Sequence, residues 1–321
     1  MRIGIVGAGL AGLACAESLA SQSHDVMLFD KGRGPGGRMS SRRIPTAVGE
    51  ANFDHGAQYF TVRESAFRRR VDAWISEGTV AIWPSAGSKA YVGVPTMNAP
   101  VRQMANIQSV RWTTLVTRVE RRGHGWQLVF EKDAAICVDL VIVAIPAEQA
   151  SALLESVAPE LAARARTVPS EPCWTVMVAF SQAIAVAQDC WRSEGIIGWA
   201  ARNNSKPGRT GPESWVLQAS PHWSRAHIEE DPQWVAATLK GALSSLLGVA
   251  LPISIGESIH RWRFARSGTE GSGAIFDSVR RLGVCGDWLI GPRVEAAWLS
   301  GTELAQQIVA DISSDPAKAI Q

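Results

Sequence analysis

The chain has 321 residues, 46 % of them hydrophobic and 19 % charged, a balance typical of folded globular proteins and not of disordered or collagen-like chains. Its 32 basic and 30 acidic residues give a formal net charge of +2, which excludes the concentrated basic field that nucleic-acid polymers require. The length predicts two domains.

Two sequence-wide features bear on compartment and partners. The five cysteines are scattered without a C-x-x-C pair, which predicts reduced thiols and neither a disulfide framework nor a metal site. The apolar run after Arg2 resembles a secretion signal, but its glycine spacing has a better explanation below. No apolar stretch reaches the ~18–20 residues of a membrane span. We therefore expect a cytoplasmic protein without membrane or nucleic-acid partners, and the oligomeric state stays open.

The first thirty residues predict a β-α-β unit. Arg2–Val6 and Asp25–Asp30 have the pattern of short buried strands, and Leu13–Ser21 that of a helix built on small residues. A G-x-G-x-x-G motif lies between the first strand and the helix. Its glycines permit a tight turn, close approach of the backbone to a pyrophosphate, and close helix–strand packing. We predict dinucleotide binding through Gly7, Gly9, Leu10, Ala11 and Gly12, with the Asp30 carboxylate on a ribose diol.

A second glycine-rich loop, KGRGPGGR, follows Asp30 directly at Lys31–Arg38. Its glycines bring backbone N–H groups near phosphate, and Arg38 adds a bidentate charge. Here the sequence resembles the FAD-dependent amine-oxidase-like superfamily, in which a G-G-R turn lies over the FAD pyrophosphate. The resemblance implies cofactor contacts at Lys31, Arg33, Gly37 and Arg38.

The middle of the chain predicts more strands and hairpins than helices. Its predicted elements are strands or strand-like segments at Asn52–Thr61, Arg111–Val119, Gly125–Phe130, Val138–Ile145, Trp174–Phe180, Ser214–Ala219 and Ser258–Phe264, and helices at Ala147–Val157 and Pro232–Leu247. Strands and helices alternate in the N-terminal and C-terminal parts of the chain, which flank this hairpin-rich middle. The whole pattern predicts an α/β fold. We expect a Rossmann-type FAD-binding domain (1–60, 106–150 and 278–321) interleaved with an α+β substrate domain (61–105 and 151–277) that carries an antiparallel sheet.

A third motif lies near the C-terminus, where a strand at Leu282–Gly286 precedes a long helix at Arg293–Ile312. In FAD enzymes of the superfamily a strand-terminal G-D presents its Asp to the ribityl chain, and the next helix points its N-terminus at the flavin. A helix N-terminus stabilises the negative charge of a reduced flavin. The resemblance implies non-covalent FAD with contacts at Val116, Gly286, Asp287, Arg293, Val294 and Glu295.

Further segments resemble the bacterial branch of the renalase family, from residue 1 to about residue 310. They are Phe53–Phe60, Trp199–Pro207, Trp215–Ser224, His260–Trp262 and Gly286–Gly301. The resemblance implies an enzyme that oxidises the 2- or 6-dihydro isomers of NAD(P)H by hydride transfer to flavin N5, with reoxidation by O2 and release of H2O2. His55 and Thr96 depart from the family pattern, which has an apolar residue and a glycine there.

The catalytic candidates follow from the same segments. A dihydropyridine is already an activated hydride donor, so no strong base is needed, and the sequence shows no Ser-His-Asp or Cys-His arrangement. Gln58 is expected to line the flavin face and Trp288 to wall the pocket. Tyr59 is expected either to line the flavin face or to pack in the core, and His260 either to contact substrate or to be a structural histidine. Arg261 and Arg266 are candidates for attracting substrate phosphates.

Two other functions share the FAD motifs. An amine oxidase usually places a lysine near flavin N5 and flanks the pocket with paired aromatics. Only six lysines occur, none of them within 259–266 or 286–298, although Lys89 or Lys206 can fold inward. A non-catalytic FAD-binding or redox-sensing protein is the other alternative, and no feature supports a flavin hydroxylase.

Overall fold

A computed structural model describes residues 1–314 of the chain. In chain order, its strands are β1 (Arg2–Val6), β2 (Asp25–Phe29), β3 (Ser41–Thr46), β4 (Gly49–Asp54), β5 (Val80–Ile82), β6 (Tyr91–Gly93), β7 (Ser109–Arg111), β8 (Val116–Arg122), β9 (Gly125–Phe130), β10 (Ile136–Val138), β11 (Leu140–Val143), β12 (Glu171–Phe180), β13 (Cys190–Arg192), β14 (Ile197–Arg202), β15 (Glu213–Ala219), β16 (Ser254–Arg266), β17 (Ile275–Asp277) and β18 (Leu282–Val284). The helices are α1 (Leu10–Ala20), α2 (Ser65–Ser76), α3 (Ala99–Asn106), α4 (Ala147–Leu154), α5 (Pro159–Arg166), α6 (Pro221–Ala226), α7 (Pro232–Leu247) and α8 (Val294–Ser314).

These elements form two units. Unit 1 comprises Met1–Gly37, Val101–Ser170 and the chain from Ser267 onward, and unit 2 comprises Arg38–Pro100 and Glu171–Arg266.

Unit 1 is built on a six-stranded sheet in the order β17-β18-β11-β1-β2-β7. Its strands are parallel except β17, which pairs antiparallel with β18. β1 lies in the middle, and its near-continuous burial is typical of a parallel strand covered on both faces. Helices α1 and α8 touch closely, since a Cβ added to Gly301 of α8 would lie 2.1 Å from the Ala11 carbonyl oxygen.

Unit 2 is built on a five-stranded antiparallel sheet in the order β13-β14-β15-β12-β16. Alternate residues of β12 point to opposite faces, as the two-residue period of a strand requires. Val176 and Val178 join a core cluster with Leu239 of α7, whereas Met177 joins a second cluster with Phe53 of the β3–β4 hairpin. The predicted fold class is confirmed: an α/β protein with a Rossmann-type parallel sheet and separate antiparallel sheets.

The borders of the two units differ from the predicted domain ranges. Residues 38–60 group with unit 2, where Arg42 of β3 donates a hydrogen bond to Ser258 Oγ of β16 at 2.8 Å. Residues 101–105, 151–170 and 267–277 group with unit 1, and α5 packs into that unit's core. Residues 315–321, the end of the predicted range 278–321, lie outside the described residues.

Two predicted strands are each divided in the structure. In the predicted strand Arg111–Val119, Arg111 ends β7, which pairs parallel with β2, and the hairpin begins at Val116. The strand predicted over Val138–Ile145 belongs to two sheets, β10 in one and β11 in the other. The chain passes between these sheets at Asp139, whose N–H donates to the Arg2 carbonyl at 2.8 Å.

Candidate functional site

The three predicted glycine roles in the first motif match its geometry. Gly7 has a φ of +104°, a left-handed conformation that side chains rarely adopt. A Cβ on Gly12 would lie 2.1 Å from the Gly7 carbonyl oxygen, so any side chain there would separate α1 from the turn. A Cβ on Gly9 would meet nothing within 4 Å, so open space lies beside this residue. Of the three glycines in the motif, Gly9 alone therefore has open space where a side chain would be.

The Asp30 carboxylate accepts hydrogen bonds from both glycine-rich loops. Its Oδ2 accepts a hydrogen bond from the Ala8 N–H at 2.8 Å and its Oδ1 accepts one from the Gly32 N–H at 2.7 Å. Each carboxylate oxygen keeps a second lone pair for another donor, such as a ribose hydroxyl. The second loop also returns to the first, because a Cβ on Gly37 would lie 3.7 Å from Gly9 Cα.

Other predicted cofactor contacts lie near these loops. The Thr114 N–H donates to the Asp30 carbonyl at 2.9 Å, which places the start of β8, and with it the buried Val116, beside the loop. Lys31 and Arg33 are exposed. Arg38 is the first residue of unit 2, and its carbonyl accepts the Ala57 N–H at 2.8 Å.

The third motif is a strand, a single 3-10 turn and a helix start. The Gly286 N–H at the end of β18 donates to Ser300 Oγ of α8 at 2.9 Å, which fixes the strand against the helix. Asp287 and Glu295 are buried, and Arg293 and Val294 are half-buried. The Arg293 Nε is buried and has no hydrogen-bond partner among the described residues.

Unit 1 fits a bound dinucleotide. No side chain caps the N-terminus of α1, so its first N–H groups and its positive dipole end face the space beside Gly9. Exposed Lys31 and Arg33 supply cations on the adjoining loop. This arrangement suits the pyrophosphate of a dinucleotide.

Trp288 does not have the pocket-wall position that we predicted. It is 1 % exposed, belongs to the core cluster of unit 1, and donates from Nε1 to the Ile145 carbonyl at 3.2 Å. The 3-10 turn at Asp287–Leu289 directs the indole back over Gly286, whose added Cβ would lie 2.8 Å from the ring. Trp288 is therefore corrected to a core residue.

Unit 2 holds a buried ionic cluster of Asp54, Lys206 and Arg209. Asp54 Oδ2 accepts from Lys206 Nζ at 3.2 Å and from the Arg209 guanidinium at 2.6 Å, and all three side chains are almost fully buried. Burial alone would raise the pKa of Asp54, but the two cations outweigh it and hold the pKa below its usual range. Burial and the Arg209 charge lower the pKa of Lys206 to about 8, against the opposing effect of Asp54.

Gln58 belongs to this cluster and not to an open surface. Its Nε2 donates to the carbonyls of Asp54 at 2.6 Å and Gly56 at 3.1 Å, and its Oε1 accepts from Lys206 Nζ at 3.1 Å. Both amide protons are thus used within the protein. These hydrogen bonds give Gln58 a structural role in holding the loop at 54–58, and its contact with the flavin face stays a prediction.

An aromatic cluster adjoins that loop. The His55 ring stacks on Trp262 at 5.3 Å between centroids, and His260 lies 5.1 Å from His55 and 4.3 Å from Trp262. The Trp262 Nε1 donates to the His55 carbonyl at 2.9 Å, and the Arg42 guanidinium lies 3.4 Å from His260 Nδ1. Burial and nearby positive charge lower the pKa of His55 to about 3 and that of His260 to about 4, so both rings are neutral at pH 7.

Tyr59 lies at the other end of the same loop and is half-buried. Its ring is 5.7 Å from that of Trp199, and Arg192 hydrogen-bonds to its hydroxyl. Arg261, in contrast, is engaged by the Ile228 carbonyl and the Glu229 carboxylate, both at 2.8 Å.

Sequence reasoning missed the buried ionic cluster as a unit. Asp54 stands within a predicted strand-like segment, whereas Lys206 and Arg209 lie about 150 residues away in a loop. The sequence offers one weak indication of this cluster: a lysine and an arginine lie close together in a segment that otherwise consists of Asn, Ser, Pro and Gly. Nothing in that pattern indicates which cation would be buried.

Comparisons with known proteins agree on the architecture. Residues 5–73 match the family model of a NAD(P)-binding Rossmann-like domain, and residues 76–309 match that of the flavin containing amine oxidoreductases. A solved structure titled as a protoporphyrinogen oxidase from Exiguobacterium sp. 255-15 has a TM-score of 0.73 at 13 % identity, covering 97 % of this chain and 99 % of that one. Cyclohexylamine oxidase from Brevibacterium oxydans has the same TM-score and coverage at 12 % identity. At such identities the likeness shows the fold alone.

A curated relative matches only a short stretch of the chain. The 4,4'-diapophytoene desaturase of Staphylococcus aureus (strain Newman) is 50 % identical over 40 residues, which are 12 % of this chain and 8 % of the desaturase. The amine-oxidoreductase match together with the dinucleotide-binding unit identifies FAD as the cofactor. Within residues 1–314, no helix has both the length and the apolar character of a membrane span.

Proposed function

We propose, from the premise that the chain belongs to the family of flavin containing amine oxidoreductases, that it oxidises a dihydronicotinamide dinucleotide, in the 2- or 6-dihydro form, with O2 as the final acceptor. Unit 2 supplies the substrate-recognising residues in this proposal. The resemblance of the segments around Tyr59 and His260 to the renalase family supports it.

The observation that carries the proposal is the sign of the charge in unit 2. Lys206 and Arg209 share the single carboxylate of Asp54, which leaves one net positive charge buried beside the loop at 54–58. Burial is the main cause of the low pKa of both histidines, and the nearby Arg42 charge lowers both values further. A positive field attracts the two phosphates of a dinucleotide and repels a protonated amine.

The residues of the aromatic cluster suit a substrate that needs no base. A dihydropyridine gives up a hydride without prior deprotonation, and His55 and His260 have pKa values of about 3 and about 4 and so hold no proton at pH 7. The neutral His260 ring and Trp262, both half-buried, present flat, weakly polar surfaces against which a nicotinamide ring can be oriented, and the buried His55 ring packs against them. FAD, when bound, accepts the hydride and passes its electrons to O2, giving H2O2.

Amine oxidation is the second candidate, favoured by two observations. Lys206 folds inward and contacts Gln58, so the low lysine content no longer argues against an interior lysine. Tyr59 and Trp199 also form an aromatic pair. Both hydrogen bonds of Lys206 nevertheless go to protein groups, Asp54 and Gln58, which favours the dinucleotide over the amine.

The test mixes FAD-saturated protein anaerobically with 2-dihydro-NAD, 6-dihydro-NAD, ordinary NADH and a panel of primary amines while flavin absorbance is followed. We expect rapid bleaching by one or both isomers and slow bleaching by NADH. Readmitted O2 should restore the absorbance with one H2O2 per turnover.

Two other outcomes would reject the proposal, each in favour of a different alternative. Fast bleaching by an amine, with none by either isomer, would establish amine oxidation. No bleaching by any compound would favour a non-catalytic FAD-binding protein.

A further inference from the structure

We infer that Arg192, Tyr59 and Trp199 form a stacking site for the adenine base of the dinucleotide substrate. This inference rests on the proposed function and extends it, because it distinguishes a dinucleotide from a nicotinamide mononucleotide. All three residues belong to unit 2.

The planar guanidinium of Arg192 lies over the faces of two aromatic rings, those of Tyr59 and Trp199. The Arg192 guanidinium carbon lies 5.8 Å from the centre of the Tyr59 ring and 5.3 Å from that of Trp199. Arg192 is exposed at the end of β13, an edge strand, whereas both rings are half-buried. A planar guanidinium that covers partly exposed rings marks a surface that another planar π system can share.

A second, fully buried tryptophan supports the Trp199 ring. Trp83 packs edge-on against Trp199 at 6.3 Å, and its Nε1 donates to Ser205 Oγ at 3.1 Å. Lys206 Nζ lies 5.1 Å from the centre of the Trp83 ring on this same buried side. The Trp199 Nε1 lies on the buried edge of the indole and has no hydrogen-bond partner among the described residues, so the exposed part of this ring offers its face.

The stacking site and the aromatic cluster share one loop. Tyr59 and His55 lie four residues apart, and the Gly56 carbonyl between them accepts from Gln218 Nε2 at 2.7 Å. Gln218 of β15 pairs directly with Trp199 of β14 in the sheet. One dinucleotide can therefore be recognised at two points that the backbone holds at fixed spacing.

Adenine fits this surface better than an alkylamine does. Base–aromatic stacking and arginine–base stacking both use flat, polarisable rings, and each contributes measurably to nucleotide binding. An ammonium group would instead compete with Arg192 for the same ring faces and meet its charge. The exposed guanidinium can cover the outer side of the base.

The experiment compares wild type with Arg192→Ala, both saturated with FAD. Dissociation constants for dihydronicotinamide dinucleotide and mononucleotide isomers are taken from anaerobic flavin bleaching, and AMP binding is measured by calorimetry. We expect Arg192→Ala to weaken dinucleotide and AMP binding roughly 5- to 30-fold and to leave the mononucleotide unchanged. Arg121→Ala is the matched control, since exposed Arg121 lies 4.8 Å from the buried Trp126 ring of unit 1.

The outcomes separate the inference from the proposed function. Equal wild-type affinity for mononucleotide and dinucleotide, or AMP binding that Arg192→Ala does not change, overturns the stacking site while the proposed function stands. An equal effect of Arg121→Ala also overturns it. Absence of bleaching by every isomer rejects the proposed function, and the inference with it.

Discussion

The two units present their functional residues in different ways. In unit 1 the candidate site within the first 37 residues consists mainly of backbone groups, at three glycines and a helix start. One side chain, the Asp30 carboxylate, joins them. In unit 2 the candidate site is made of side chains from segments about 150 residues apart, held by a buried ionic cluster. The candidate site in unit 1 depends on open space and backbone conformation, whereas that in unit 2 depends on the balance of buried charges. Substitutions at the site in unit 1 should therefore reduce cofactor binding, and substitutions at the site in unit 2 should reduce stability.

The largest expected effect is loss of FAD on filling the space in unit 1. Gly9→Trp should yield colourless protein with FAD binding weaker by at least about 100-fold, or about 3 kcal/mol, while the apoprotein stays folded because nothing lies within 4 Å of the added Cβ. Flavin absorbance and thermal unfolding measure the two effects. Gly241→Trp, at an equally open glycine on α7, should keep the colour. Yellow Gly9→Trp protein would mean that the motif binds no pyrophosphate.

The largest expected effect on stability, as distinct from cofactor binding, is that of removing the carboxylate in unit 2. Asp54→Asn leaves Lys206 and Arg209 buried without a counter-charge and should lower the free energy of unfolding by about 3–5 kcal/mol, measured in urea. Asp25→Asn breaks an exposed pair with Arg2 and should cost less than about 1 kcal/mol. Similar losses in both variants would refute the ionic cluster as the support of unit 2.

Trp288 tests whether the backbone site of unit 1 also contributes a pocket wall. Trp288→Phe removes a buried ring edge and a hydrogen bond to the Ile145 carbonyl, so the free energy of unfolding should fall by roughly 1–3 kcal/mol. The dissociation constants of the dihydronicotinamide isomers should stay within about twofold of wild type. A large change in those constants without a change in stability would restore the pocket-wall role.

The smallest effect concerns acid sensitivity in unit 2. The pKa values of His55 and His260 fall from 6.5 to about 3 and about 4, so the unfolded chain binds more protons than the folded one between pH 6.5 and about 4. Stability is therefore full above pH 6.5 and declines as the pH falls. We expect a loss of roughly 1 kcal/mol between pH 7 and pH 6, shared about equally by the two histidines because both folded-state pKa values lie well below this range.

Unfolding in urea at the two pH values measures that loss. The double variant His55→Gln, His260→Gln should show a smaller decline. His124→Gln, which changes an exposed residue of unit 1, should decline as wild type does. An identical decline in all three proteins would mean that the two histidines are not the groups responsible.

The sequence predicted correctly those features that neighbouring residues determine by themselves. Gly7 and Gly12 are required by their conformation and close contacts, and spacing alone indicates both. It failed where burial is decided by the fold: Trp288 follows a glycine–aspartate pair that suggests a pocket, yet a single 3-10 turn directs it into the core. Arg111 continues an alternating pattern, but pairing with Phe29 places it in the parallel sheet.

The closeness of α8 to α1 has a consequence for folding during synthesis. α1 is among the first helices to leave the ribosome, and the backbone contact that Gly301 makes with Ala11 becomes available only after some 290 further residues. β18, which pairs with β11 in the same sheet, is made equally late. Unit 1 must therefore remain incomplete, with apolar surface on α1 uncovered, while unit 2 is translated. Transient protection by a chaperone should therefore matter more for unit 1, which is begun first and completed last, than for unit 2.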